Sequence, residues 1–156
     1  MPRRRPGALR APRHGPRVQE DPPPNRIRGL SGRTSLAIHR AERLSDDYDV
    51  FPGATEVALR RCREFLRTPG RGPLYPQDTF CTCRGCSLAD VRHARVVLEE
   101  VLRMLPHRPR AELRRQVARF DARFRARTLP DPFADRRPWE ADMWWYRRLT
   151  EGGQAL

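Results

Sequence analysis

The sequence predicts a mainly helical domain of about four helices, built around a central antiparallel hairpin. It also predicts a Cys-rich metal-binding loop and a disordered N-terminal arm. Three observations carry this. Apolar residues recur at helical spacing in several segments between Ser35 and Leu149. Three of the four cysteines fall in the short run Cys81, Cys83, Cys86. The chain before Ser35 is rich in Pro and Arg and has little to bury.

Composition bounds the rest. The chain has 156 residues, 38% hydrophobic and 33% charged, with a net charge of +13. The core is therefore modest, and a structural metal would add a useful staple. All 32 basic residues are arginine. Arginine makes bidentate bonds to phosphate or carboxylate and stacks on flat rings, so a chain of this charge is expected to associate with polyanions. No apolar run follows the basic N-terminus, and no stretch approaches the roughly 20 apolar residues of a membrane span. The expectation is a cytoplasmic protein with no membrane partner, in which cysteines serve as metal ligands or redox thiols.

Residues 1–34 read as the arm, with nine arginines, including Arg3, Arg4 and Arg5, against Glu20 and Asp21. Such a segment can track phosphates. Residues 35–150 read as the helical domain, and 151–156 as a flexible C-terminus. Ser35 to Leu44 can form a short helix with Leu36, Ala37, Ala41 and Leu44 on one side. An acidic loop, Ser45 to Asp49, follows; it lacks the glycine turn and distal Glu of a calcium loop.

Thr55 to Arg67 predicts a firm helix. Thr55 is the expected cap, Glu56 suits the first turn, and Ala58, Cys62, Phe65 and Leu66 share a face. Ser87 to Leu105 predicts a longer one, opened by Ser87 with Asp90 and lined by Leu88, Val91, Ala94, Leu98, Val101, Leu102 and Leu105, with Glu99 and Arg103 as a pair on its surface. Pro106 ends it. Arg110 to Arg127 predicts a third, with a narrow stripe of Leu113, Val117, Phe120 and Phe124. The short link makes these two a hairpin. Pro138 is expected to open a fourth helix ending near Leu149, docked through Trp139, Met143 and Tyr146 with Trp145 and Leu149 on the flank.

The cysteine spacing is Cys62-x18-Cys81-x-Cys83-x2-Cys86. Zinc takes four thiolate or imidazole ligands at about 2.3 Å from each sulfur. Gly85 permits the tight turn, and a helix start beside Cys86 favours the thiolate. Cys62 is the expected fourth ligand, with His93 as the alternative; Cys62 also fits a buried core thiol. An iron–sulfur cluster is the rival centre and a thiol redox pair the next.

Between Arg108 and Arg127 stand eight arginines against Glu112 and Asp121. Arg115, Arg119 and Arg123 form a like-charge ridge, extended by Arg127, that is easier to explain if an anion meets it. Trp144 falls opposite the docking stripe, beside Arg147 and Arg148, where it could stack on a base. There is no phosphate loop, no nucleophile elbow and no H-E-x-x-H. The expectation is a non-enzymatic, zinc-stabilised regulatory protein that binds nucleic acid or a nucleoprotein complex and takes no small-molecule substrate. An acidic protein partner for the basic helix, and an iron–sulfur or thiol redox sensor, are the alternatives.

Overall fold

The computed structural model describes residues 25–78, 83–136 and 142–151. Its helices are α1 (Gly32–Leu44), α2 (Ala54–Arg67), a single turn α3 (Arg84–Ser87), α4 (Val91–Met104) and α5 (His107–Arg127), followed by 3-10 turns at Ala134–Arg136 and Trp144–Arg147. Among the described residues there is no strand, only two isolated bridges.

Helix α4 is the hub. It packs on α2, α5, α1 and the Trp144 turn, and its contact with α2 is the most extensive in the fold. Its sequence explains this. Val91, Ala94, Val97, Leu98, Val101 and Leu102 form one wide face and are all buried, and Arg92 and Arg95 are buried beside them, so α4 buries more of its surface than an apolar stripe alone would. Asp90 caps it, accepting from Arg92 N at 2.8 Å. The helix thus begins four residues later than expected, and Ser87 closes the separate turn α3 instead. The surface pairing also differs: Arg103 meets Glu100 at 2.7 Å, while Glu99 meets Arg95 at 2.9 Å.

The hairpin forms as the link predicts, with Leu105 and Pro106 between α4 and α5. The narrow stripe of α5 is the buried one: Leu113, Val117, Phe120 and Phe124 all face inward. Helix α2 likewise follows its expected bounds and buries Ala58, Cys62 and Leu66, with Phe65 half-buried against Phe124 at 5.5 Å between ring centroids.

Helix α1 departs from expectation. It starts at Gly32, and its buried face is Thr34, Ser35, Ile38 and Glu42, while Leu44 is 82% exposed. The weak aliphatic stripe does not decide its rotation; polar clasps do. Glu42 is buried and its carboxylate accepts from Gly53 N and Thr55 N, each at 2.8 Å. Gly53, at φ 91°, has no side chain with which to cap α2, so a carboxylate from α1 closes that helix end. Thr55, the expected cap, is instead wholly buried. A second clasp joins α5 to α1. The Glu112 carboxylate accepts from Ser31 N at 2.6 Å and Ser31 Oγ at 2.8 Å, and also from the Thr34 hydroxyl.

The expected arm boundary at residue 34 also moves. Ile27 and Leu30 are fully buried in the main core. Fully burying such side chains is worth about 1.5–3 kcal/mol each, so the residues just before α1 belong to the body. Residues 1–24, with Arg3, Arg4 and Arg5, lie outside the described residues.

The C-terminal segment is not the expected fourth helix in its described part. Residues 142–151 make only the Trp144–Arg147 turn, then run extended. Leu149 N donates to Leu129 O at 2.9 Å and Glu151 N to Pro76 O at 2.9 Å, so backbone groups that a helix would pair locally are paired with distant loops. Pro138 and Trp139 lie outside the described residues, as do 152–156.

The Glu112 clasp has a pH signature. Hydrogen bonds from Thr34, then Ser31, hold its carboxyl below the ordinary 4.5. A depressed pKa adds stability that is present above the ordinary value and lost as pH falls through the lowered one. Glu112→Gln should therefore destabilise the protein at neutral pH, where the native carboxylate is charged and hydrogen-bonded. The difference from wild type should shrink below the carboxylate range. Chemical denaturation of both proteins at neutral and acid pH checks this; an equal difference at both would refute the clasp.

Candidate functional site

The two acids of α5 point into the fold. Glu112 is held by the start of α1, and Asp121 by Arg95, with Nε–Oδ1 at 3.0 Å and Nη2–Oδ2 at 3.2 Å. The stripe of Leu113, Val117, Phe120 and Phe124 faces inward as well. What remains outside is basic: Arg114, Arg115, Arg119, Arg123 and Arg125 are all exposed. Helical spacing puts Arg115, Arg119 and Arg123 in one row, as the sequence predicts.

The row does not stand alone. Beside it, between α2 and α5, lies a cavity of about 320 Å³. Its floor is apolar: Leu59, Cys62, Leu66 and Phe120. Its rim carries Arg63 and Arg67 from α2, and Arg119 and Arg123 from α5, with no carboxylate among the lining residues. Burial, then the charge of Arg28, holds the Arg63 guanidinium below its ordinary value. Arginine stays charged regardless, and no carboxylate lines the cavity to answer it. A larger cleft of about 490 Å³ lies between α2 and the 73–77 loop, but it mixes Arg61 with Glu64 and Glu151 and has no such single sign.

The other described arginines singled out in the sequence, Arg127, Arg147 and Arg148, are engaged with neighbours in the fold. Arg127 Nη2 donates to Gly70 O at 3.1 Å. Arg147 pairs with Asp135. Arg148 donates to Thr128 Oγ1 at 2.8 Å and Arg125 O at 2.9 Å. Arg127 and Arg148 tie the 68–70 loop and the C-terminal segment to the end of α5, while Arg147 joins that segment to the Ala134–Arg136 turn. Trp144 is half-buried rather than free. It meets Phe124 edge-on at 6.0 Å, and the Arg125 guanidinium lies 3.8 Å from its ring centroid.

The cysteines divide. Cys83 caps α3, its sulfur accepting from Cys86 N at 3.4 Å, and both side chains are exposed at one turn. Cys81 lies outside the described residues. Cys62 is buried on the floor of the α2–α5 cavity. Its neighbour Arg61 is the α2 residue that reaches toward the cysteine turn, donating from Nε to Ala89 O at 2.6 Å. His93 instead faces the acidic loop, with Nε2 at 3.3 Å from Asp49 Oδ1, not aligned as a hydrogen bond. Among the described residues no three His, Cys, Asp or Glu side chains converge as a metal site, so neither Cys62 nor His93 joins Cys83 and Cys86 there.

No family model, curated protein or solved structure matches the chain. Function therefore rests on the chemistry of this site.

Sequence reasoning missed Arg28, Arg63 and Arg67. A signal was present: Arg63 and Arg67 are four apart on α2, flanking its apolar face. Only the packing of α2 against α5 brings them beside Arg119 and Arg123. No described helix is long and apolar enough to cross a membrane.

Burial pushes the Cys62 thiol up to about 12, against the opposing pull of Arg95. The raised value means a protonated thiol in the native state, with stability held below its ordinary 9.0 and lost as pH rises toward about 12. Alkylation of native protein at neutral pH should leave Cys62 unmodified, and unfolding should expose it. Peptide mass mapping after a timed pulse reads this out; native labelling as fast as in the unfolded chain would contradict the burial.

Proposed function

We propose that this protein is a non-enzymatic, regulatory nucleic-acid-binding protein, and that its contact surface is the basic face of α5 with the arginines of α2. One observation carries the reading: both carboxylates of α5 are committed to internal partners, so that its outer face presents arginines of one sign. Phosphate contacts by such a face would release counterions and bind with strong salt dependence. Arg115, Arg119 and Arg123 are the primary contacts in this proposal, with Arg63 and Arg67 beside them. Arg127, Arg148 and Trp144 support the face by holding its edge in place, while Arg147 pairs with Asp135 beyond it. The basic arm, with Arg3, Arg4 and Arg5, adds further phosphate contacts.

The expected outcome is a log affinity that falls linearly with log salt, by about 0.9 per phosphate neutralised on duplex or about 0.7 on single strands. Replacing Arg119 and Arg123 together by Ala should weaken binding across sequences and reduce the slope by roughly 1 for each phosphate no longer neutralised. Arg103→Ala, on an exposed side chain of α4 paired with Glu100, should change little. Fluorescence anisotropy titrations at several salt concentrations measure all three. If neither DNA nor RNA binds at low salt, while one acidic protein is recovered stoichiometrically after nuclease treatment, the acidic-partner reading replaces this one.

A second proposal concerns the cysteine turn. The Cys86 N to Cys83 Sγ hydrogen bond favours a thiolate at Cys83, and a C-x2-C turn can wrap a metal. Cys81, Cys83 and Cys86 would then hold zinc in a structural role. Elemental analysis of purified protein should find about one zinc per chain. Replacing Cys83 and Cys86 by Ser should remove it and lower the melting temperature. A brown protein with visible absorption would assign an iron–sulfur cluster instead; a metal-free protein with full stability would end both versions.

A further inference from the structure

We infer that the α2–α5 cavity receives an unpaired base of a single-stranded nucleic acid, while its four rim arginines hold the flanking phosphates. This rests on the nucleic-acid reading above and names the form of nucleic acid it selects.

The cavity asks for more than charge. A duplex offers a phosphate surface, and a row of exposed arginines is enough to meet it. An apolar hollow among those arginines is unused by a duplex. Its volume of about 320 Å³ equals the liquid volume of roughly ten waters, space of the order that a planar heterocycle fills. The floor of Leu59, Cys62, Leu66 and Phe120 presents hydrocarbon and a neutral thiol to the faces of such a ring. At its edge stands Gln116, whose amide is fixed by donating from Nε2 to Gly29 O at 2.8 Å. That side chain offers a positioned polar group near the rim.

The rim matches a strand. Arg63 and Arg67 are four residues apart on one wall, and Arg119 and Arg123 are four apart on the other. Four residues advance a helix by about 6 Å, the order of the separation between successive phosphates in an extended strand. Guanidinium planes also stack on splayed bases, a common mode of single-strand recognition. Each nucleotide couples one charge to one flat ring at fixed spacing, so any register of the strand supplies both groups. An acidic peptide would need a dedicated sequence to place an apolar side chain between matched carboxylates.

The test uses the full-length chain and three ligands of equal phosphate count, each roughly twenty nucleotides in total, so that the duplex has about ten base pairs. These are a natural single strand, the same backbone with abasic sites throughout, and a duplex. The natural strand should bind about tenfold or more tighter than the abasic one, because a buried base adds what charge does not. Duplex should compete no better than the abasic strand. Leu66→Trp, on the cavity floor, should erase the natural-to-abasic difference while keeping the salt slope, with circular dichroism confirming the fold. The abasic comparison stands even where that variant fails to fold. Equal affinity for natural and abasic strands overturns the base pocket and leaves the basic face intact. Displacement of the strand by poly-glutamate at equal charge concentration overturns it too. Absence of binding by all three at low salt overturns both this inference and the reading beneath it.

Discussion

Two arginines inside the central helix organise the molecule. Arg92 is 1% exposed and Arg95 is 6% exposed, on a helix otherwise lined with aliphatic side chains. A buried guanidinium must be paired and hydrogen-bonded, or the fold loses several kcal/mol. Arg92 meets Asp90 at 2.7 Å and Asp78 at 2.6 Å, and lies 5.1 Å from the Tyr146 ring centroid. Burial disfavours its charge, but the bonds and charge of Asp90, then Asp78, outweigh that and hold its pKa above the ordinary value. Arg95 draws Asp121 from α5 and stacks 4.4 Å from the Trp145 ring centroid. One helix thus gathers the loop before the cysteines, the partner helix of the hairpin and the C-terminal turn.

The same demand shapes the surface. Carboxylates in this chain are scarce relative to arginines, 19 against 32 basic residues, and several of them are spent on partners within the fold. Asp78, Asp90 and Asp121 answer the buried arginines. Glu42 and Glu112 close the N-termini of α2 and α1, where unpaired N–H groups and the helix dipole favour an anion. Glu42 and Glu112 answer neutral donors rather than arginines, so their charge is not spent on the outward arginines. The basic face of α5 and α2 is the consequence, and its apolar cavity marks where the two helices diverge around Cys62 and Phe120.

How legible the fold and site are depends on how local the cause is. Helices α2 and α5 and the hairpin follow from apolar residues at a 3.6-residue period and from proline and glycine stops, which act within a few residues. The row of Arg115, Arg119 and Arg123 is legible for the same reason. Helix α1 is harder to read, because its rotation is set by Glu42 and Glu112 rather than by Leu36 or Leu44. The C-terminal segment misleads more. Met143, Trp145 and Tyr146 satisfy a helical template, yet adjacent Trp144 and Trp145 are claimed by Arg125 and Arg95 on two different helices. The Trp144–Arg147 3-10 turn delivers both rings.

By itself the sequence determined the helical class, the hairpin, the charge and the existence of a one-signed helix face, because periodicity and composition are properties of neighbours in the chain. Tertiary structure alone decided which charges cancel. Glu112 and Ser31, Asp121 and Arg95, and the facing pairs Arg63–Arg67 and Arg119–Arg123 are separated by tens of residues, and no local pattern encodes their meeting. The cysteine run divides along the same line. Its spacing marks Cys81, Cys83 and Cys86 as a unit, while packing carries Cys62 to the floor of the arginine-rimmed cavity, where its burial keeps it a neutral part of the core.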